Sequence, residues 1–90
     1  MREILITNRF KKDLKKAKKN PRQDTDKLFS AIETLAIHGA LSEEYLPHSL
    51  SGNWKPKWEC HIQPNFLLIY EVTEKVLRLE RCGSHSELFE

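Results

Sequence analysis

The run Phe66-Leu-Leu-Ile-Tyr70 is apolar at every position, and a short segment that is apolar on both sides reads as the central strand of a sheet covered on both faces. Thr73-Glu-Lys75 supplies a tight hairpin turn after it, so the chain doubles back into a neighbouring strand. The C-terminal half therefore reads as three consecutive strands, at about 54–62, 66–72 and 75–82. Alternation in the first of these predicts Trp54, Trp58 and Cys60 on one face, with Lys55, Lys57 and His61 on the other.

Ahead of these strands the hydrophobic period changes. Glu3-Ile-Leu-Ile-Thr7 is a short β-branched strand, and Thr7-Asn8 can cap a helix on which Phe10, Leu14 and Ala17 form the apolar stripe. Asn20-Pro21 breaks that pattern. Asp24 or Thr25 then caps a second helix carrying Leu28, Ala31, Ile32, Leu35 and Ala36, and Gly39 stops it. Residues 40–53 have no sustained period and read as a loop. Gly83 ends the last strand, and the tail from Ser84 folds back on the sheet. The order β-α-α-β-β-β defines an α+β class: two N-terminal helices packed on a twisted, mainly antiparallel four-stranded sheet. Ninety residues suit a single domain spanning residues 1–90. The face left open by the helices, flanked by loop 40–53 and the tail, is the expected binding surface.

No apolar run approaches the roughly 20 residues that cross a bilayer, and the N-terminus lacks the pattern of a signal peptide. A cytoplasmic protein is the expectation, with no membrane contact. Cys60 and Cys82 lie in apolar strands without a CxxC partner. A disulfide would require the two strands to be neighbours, and two buried free thiols are the expectation in a reducing compartment. The net charge is only +2, yet residues 9–22 hold eight basic side chains against Asp13, so that this segment is +7 and the remainder −5. Such separation suits a polyanion or an acidic protein surface. A solvated helix face is the commoner meaning of a lysine run alone.

Of the four histidines, His38 sits at a helix end, where it complements the dipole. His48, His61 and His85 fall at a loop, a strand end and a post-strand turn. Imidazole exchanges protons near neutrality, so two or three together suit acid/base catalysis. Arg81, close before His85, can place a guanidinium where phosphate charge develops; its ordinary alternative is an ion pair with Glu59 or Glu80. Zinc binding lacks any HxxxH, HExxH or CxxC spacing, so neither a metal nor another cofactor is expected. No nucleophile elbow is present. Trp58 and Tyr70 read as core, whereas Phe66 and Phe89, each near a candidate histidine, are placed to stack on a nucleobase.

Three segments in order, His48-Ser-Leu-Ser-Gly-Asn-Trp54, Glu59-Cys-His-Ile-Gln-Pro-Asn-Phe-Leu-Leu-Ile-Tyr70 and Leu79-Glu-Arg-Cys-Gly-Ser-His-Ser-Glu-Leu-Phe89, resemble the YafQ branch of the RelE superfamily of bacterial type II toxins. The resemblance covers nearly the whole chain. It implies a ribosome-dependent endoribonuclease that cuts translated mRNA, is neutralised by a cognate antitoxin, and meets operator DNA only through the antitoxin complex. Carried over by position, the functional places fall on His48, His61, Asn65, Phe66, His85 and Phe89, with Arg81 as a phosphate contact. The basic first helix has two competing uses, ribosomal RNA, with Lys15 and Lys18 as its contacts, and an acidic antitoxin segment. The chain departs from the branch at Asn65-Phe66, where an aspartate followed by a tryptophan is common. Asparagine still hydrogen-bonds an imidazole or a ribose but supplies no charge. The competing readings are a non-enzymatic, ParE-like gyrase inhibitor and a catalytically weakened binding module.

Overall fold

The computed structural model describes residues 1–89. Strand β1 (Glu3–Ile6) stops where the Thr7 hydroxyl turns to accept the Phe10 amide, which caps helix α1 (Asn8–Lys18). Asp24 caps helix α2 (Thr25–His38) in the same manner, and Gly39, in the left-handed region at φ 77°, ends it. After a loop come β2 (His48–Ser49), β3 (Trp58–Gln63), β4 (Phe66–Val72) and β5 (Val76–Gly83), then the short helix α3 (His85–Phe89).

The expected four strands are joined by a fifth. The loop contributes β2, two residues long, and the sheet order is β1-β5-β4-β3-β2. All pairings are antiparallel except β1 with β5, which is parallel. As its composition demands, β4 lies in the middle, and Phe66 through Tyr70 are all buried. Phe66, Leu68 and Tyr70 join the main core beneath α1 and α2, with Phe10, Leu28, Leu35, Cys60 and Leu79. Leu67 and Ile69 face the opposite way and are covered by Leu88 of α3, with Leu50 and Trp54 at the margin. The tail therefore roofs one end of a second, smaller core.

Two local expectations are corrected. Trp54 is not in a strand: residues 52–54 form a 3-10 turn and β3 begins only at Trp58. The parity that placed Trp54 beside Cys60 thus fails, and Trp54 packs on the α3 side of the sheet. Trp58, assigned to the core, is instead 38% exposed. Cys60 and Cys82 do not lie on neighbouring strands, because both pair across to Leu68 of the intervening β4. They are buried free thiols, each pushed up to about 12 mainly by burial, which leaves them chemically quiet.

Candidate active site

The cross-strand register gathers the histidines. His48 pairs with Glu59, Glu59 with Ile69, and His61 with Leu67, and residues directly opposite in an antiparallel pair share a face. All of them therefore lie on the side away from α1 and α2. His85 begins α3 above the same face. The ring centroids are 6.4 Å apart for His48 and His61 and 5.7 Å for His61 and His85, so the three imidazoles form a row with His61 in the middle.

Two of the rings share a carboxylate, and the third is held by an amide. His48 Nδ1 lies 3.0 Å from the Leu46 carbonyl, and its Nε2 lies 3.3 Å from Glu59 Oε1. His61 Nε2 is 3.6 Å from that same carboxylate oxygen. Asn65 Oδ1 accepts both the His85 backbone amide at 3.0 Å and the His85 ring Nδ1 at 2.9 Å. Because that oxygen already faces a backbone N–H, the ring Nδ1 must be the donor, and Nε2 is left for a substrate. Side-chain exposure falls from 51% at His48 to 21% at His61 and 9% at Glu59. A buried carboxylate lies under two imidazoles.

Glu59 was not singled out as a site residue from the sequence. The available signal was its spacing of two from His61, which puts both on one face of a strand.

Helix α3 is built by a reciprocal capping box over Ser84-His-Ser-Glu87. Glu87 Oε1 accepts the Ser84 amide at 2.8 Å, while the Ser84 hydroxyl accepts the Glu87 amide at 3.2 Å. Lys16 of α1 adds an ion pair to Glu87 at 2.7 Å. The Lys16 hydrogen bond, followed by the Ser84 amide, lowers the Glu87 carboxyl from 4.5 to about 2. A carboxyl depressed in the fold stabilises it above the ordinary value, and that contribution is lost as pH falls from about 4.5 towards about 2. The thermal midpoint of the wild type should therefore drop more steeply between pH 5 and pH 2.5 than that of Glu87→Gln. Parallel melting curves at the two pH values check this.

The other expected site residues divide. Phe89 is exposed on α3 with its ring edge-on to Trp54, centroids 5.7 Å apart, and remains available to stack on a base. Phe66 is corrected: at 1% exposure it is a core residue, since its parity on β4 points it to the helices. For Arg81 it is the expected ion-pair partner that is corrected. Its guanidinium makes a two-pronged pair with Asp13, Nε to Oδ2 at 2.8 Å and the second nitrogen to Oδ1 at 3.0 Å. The partner is neither Glu59 nor Glu80 but the lone acid of the lysine-rich helix. Asp13 also accepts the Cys82 amide at 3.2 Å, where β5 runs on beyond its pairing with β1. Lys18 lies over the Phe29 ring of α2 at 5.8 Å, and Lys15 is an exposed residue of α1. Lys16 is the α1 lysine joined to α3.

This fold, with a histidine row on its open face, is that of the small bacterial toxins to which comparison leads. The family model described as the bacterial toxin of type II toxin-antitoxin system, YafQ, matches residues 2–90, and the chain belongs to that family. A protein named "mRNA interferase toxin YafQ" from Escherichia coli K12 is 39% identical over 90 residues, covering 98% of this chain and 96% of the relative. The crystal structure of the E. coli DinJ-YafQ toxin-antitoxin complex contains a chain that superposes with a TM-score of 0.89 at 37% identity, covering 99% of this chain and 98% of that one. A copper-bound mutant toxin from Helicobacter pylori superposes with a TM-score of 0.90 at 40% identity, covering 99% of this chain and 100% of that one. Among the described residues here, no three His, Cys, Asp or Glu side chains are arranged to hold a metal ion. Among them, too, no helix is long and apolar enough to cross a membrane.

Proposed function

We propose that this toxin is a ribosome-dependent mRNA interferase that cuts RNA by histidine acid/base chemistry. The single observation that carries the reading is the row of three imidazoles on one open sheet face, His48 and His61 above the shared Glu59 carboxylate and His85 hydrogen-bonded to Asn65. A substrate 2′-hydroxyl attacks the adjacent phosphorus, one histidine removes its proton, and another protonates the departing 5′-oxygen. The products are a 2′,3′-cyclic phosphate and a free 5′-hydroxyl. His61 and His85 form that pair, with His48 and Glu59 completing the row. Phe89 offers a stacking surface beside it. No step in this scheme requires a metal ion.

The relatives' names support mRNA as substrate, and the DinJ-YafQ complex supports a cognate antitoxin as partner. On this reading the toxin acts in the cytoplasm on ribosome-bound mRNA, and it meets operator DNA only through the antitoxin complex. Induced expression followed by mapping of mRNA ends tests it. Cuts within translated codons are expected; growth arrest with intact mRNA and damaged DNA would overturn it.

The basic helix has a separate part in this reading. Lys15 and Lys18, exposed on α1, serve ribosome association through RNA phosphates rather than the reacting phosphate. Replacing each by Glu should weaken ribosome binding and make its log–log salt dependence shallower by about one unit for every phosphate that is no longer neutralised. Cosedimentation over a salt series measures the slope, and an unchanged slope would remove both lysines from the interface.

A further inference from the structure

Helix α3 is too short to stand by its own hydrogen bonds. It closes one helical turn, from the Leu88 amide to the Ser84 carbonyl at 3.1 Å, and isolated helices shorter than about 12–15 residues are marginal in water. Its five residues bury one side chain, Leu88, against Leu67 and Ile69. A single apolar anchor fixes where the turn sits but leaves it free to swing about that point. His85 opens the turn and Phe89 ends it, so any swing displaces the outer imidazole of the row.

The chain entering α3 supplies no stiffness of its own. Gly83 lies at φ 153°, a conformation that residues with side chains rarely adopt. What lies across this pliable joint is Glu87: a Cβ placed on Gly83 would meet Glu87 Oε1 at 3.0 Å and Glu87 Cβ at 3.4 Å. From there Glu87 Oε1 accepts the Ser84 amide at 2.8 Å and Gln23 Nε2 at 3.4 Å, while Oε2 takes Lys16 Nζ at 2.7 Å. One carboxylate thus ties the start of α3 to its own third residue, to α1 and to the α1–α2 turn.

His85 and Phe89, four residues apart, share a face of the turn, and Glu87 lies roughly 200° round from His85. The carboxylate is therefore turned to α1 while the imidazole is turned to the histidine row. The remaining tie is Asn65, whose oxygen meets both the backbone amide and the ring of His85. Meeting both at once requires the start of α3 to stand at one angle to the β3–β4 turn.

We infer that Glu87 is a positioning residue for His85: by capping Ser84 and bracing the start of α3 against α1, it keeps the ring on Asn65 and sets the rate of the chemical step rather than the affinity for RNA. It acts through the helix and not on the reacting atoms. The effect on rate rests on the reading of the chain as a histidine ribonuclease, whereas the orientation of the ring does not.

Two readouts on the full chain separate those parts, both taken at a temperature where every variant is folded. The first is nitrogen NMR of the free protein at a pH where the imidazoles are neutral, which reports the His85 tautomer. The wild type should show the Nδ1–H form that Asn65 selects, and Glu87→Ala should move towards the Nε2–H form that an unrestrained neutral imidazole prefers. Glu87→Gln should stay with the wild type, because glutamine closes a capping box as glutamate does. The second readout is single-turnover cleavage on programmed ribosomes. Glu87→Ala should lower the saturating rate by about 10- to 100-fold, the range expected when a catalytic group is misplaced by about 1 Å, and leave the half-saturating toxin concentration within about twofold of wild type. Glu87→Gln should recover the rate to within about threefold, since the Lys16 side chain is 73% exposed and the lost ion pair counts for little.

An unmoved tautomer in Glu87→Ala, a saturating rate equal to the wild type's, or a loss carried by the half-saturating concentration would overturn the assignment. So would a Glu87→Gln variant as slow as Glu87→Ala, because the charge and not the brace would then be what matters. If the tautomer responds as expected while the wild-type chain leaves mRNA uncut, the ribonuclease reading fails and the positioning of His85 by Glu87 stands.

Discussion

His85→Ala is expected to lower the single-turnover cleavage rate on programmed ribosomes by about 100- to 10,000-fold, the usual contribution of one positioned proton transfer. The variant should fold as the wild type does, because His85 is exposed and its ring makes a single hydrogen bond, to Asn65. Asn65→Ala separates the proton from its placement. It keeps the imidazole but frees it to rotate, so an intermediate loss on the order of 10- to 100-fold is expected. The order of rates should be wild type, then Asn65→Ala, then His85→Ala, with near-equal melting temperatures. Wild-type turnover in His85→Ala would remove His85 from the chemistry and leave His61 and His48 to be tested in its place.

On the proposed reading, Asn65 divides the labour of the site. The negative charge of the site is supplied by Glu59, beneath His48 and His61, while His85 is held by a neutral amide. Replacing an aspartate by asparagine at this place retains both hydrogen bonds to His85, through the ring and through the backbone. What it removes is charge next to one histidine, at the end of the row farther from Glu59.

Much of this was legible because strand periodicity is rigid. The buried run at Phe66–Tyr70, the caps at Thr7 and Asp24, and the stop at Gly39 each follow from local rules and appear where those rules place them. The histidines could be singled out one by one, but their row depends on register, which pairs residues far apart in the chain. Parity fails where a strand begins late, as at Trp54, or where register shifts, as between His61 and Gln63 and again opposite Ile69 and Tyr70. Phe66 is next to Leu67, the partner of His61, so ordinary alternation puts it on the opposite face despite its nearness in sequence to His61. The capping box at Ser84–Glu87 was open to reading, being a short local motif; the ion pair of Arg81 was not, since its partner lies on a helix 68 residues away.

Asp13→Ala is expected to cost about 3 kcal/mol, which lowers the melting temperature of a domain this size by roughly 10–20 °C. The Asp13 and Arg81 side chains are 15% and 14% exposed, so removing the carboxylate strands a largely desolvated guanidinium. It also leaves the Cys82 amide without its acceptor at the free stretch of the β5 edge. Arg81→Ala removes the cation together with its need for a partner. The double variant should therefore be less destabilised than the sum of the two single ones, and a double-mutant cycle by denaturant unfolding measures the difference. The same cycle decides what Arg81 does for activity. If the guanidinium serves to lash β5 and the start of α3 to α1, then cleavage by Arg81→Ala, assayed at low temperature where it stays folded, should fall no further than cleavage by Asp13→Ala. A loss of several orders of magnitude in Arg81→Ala alone would instead mean that the guanidinium leaves Asp13 for the substrate phosphate during the reaction.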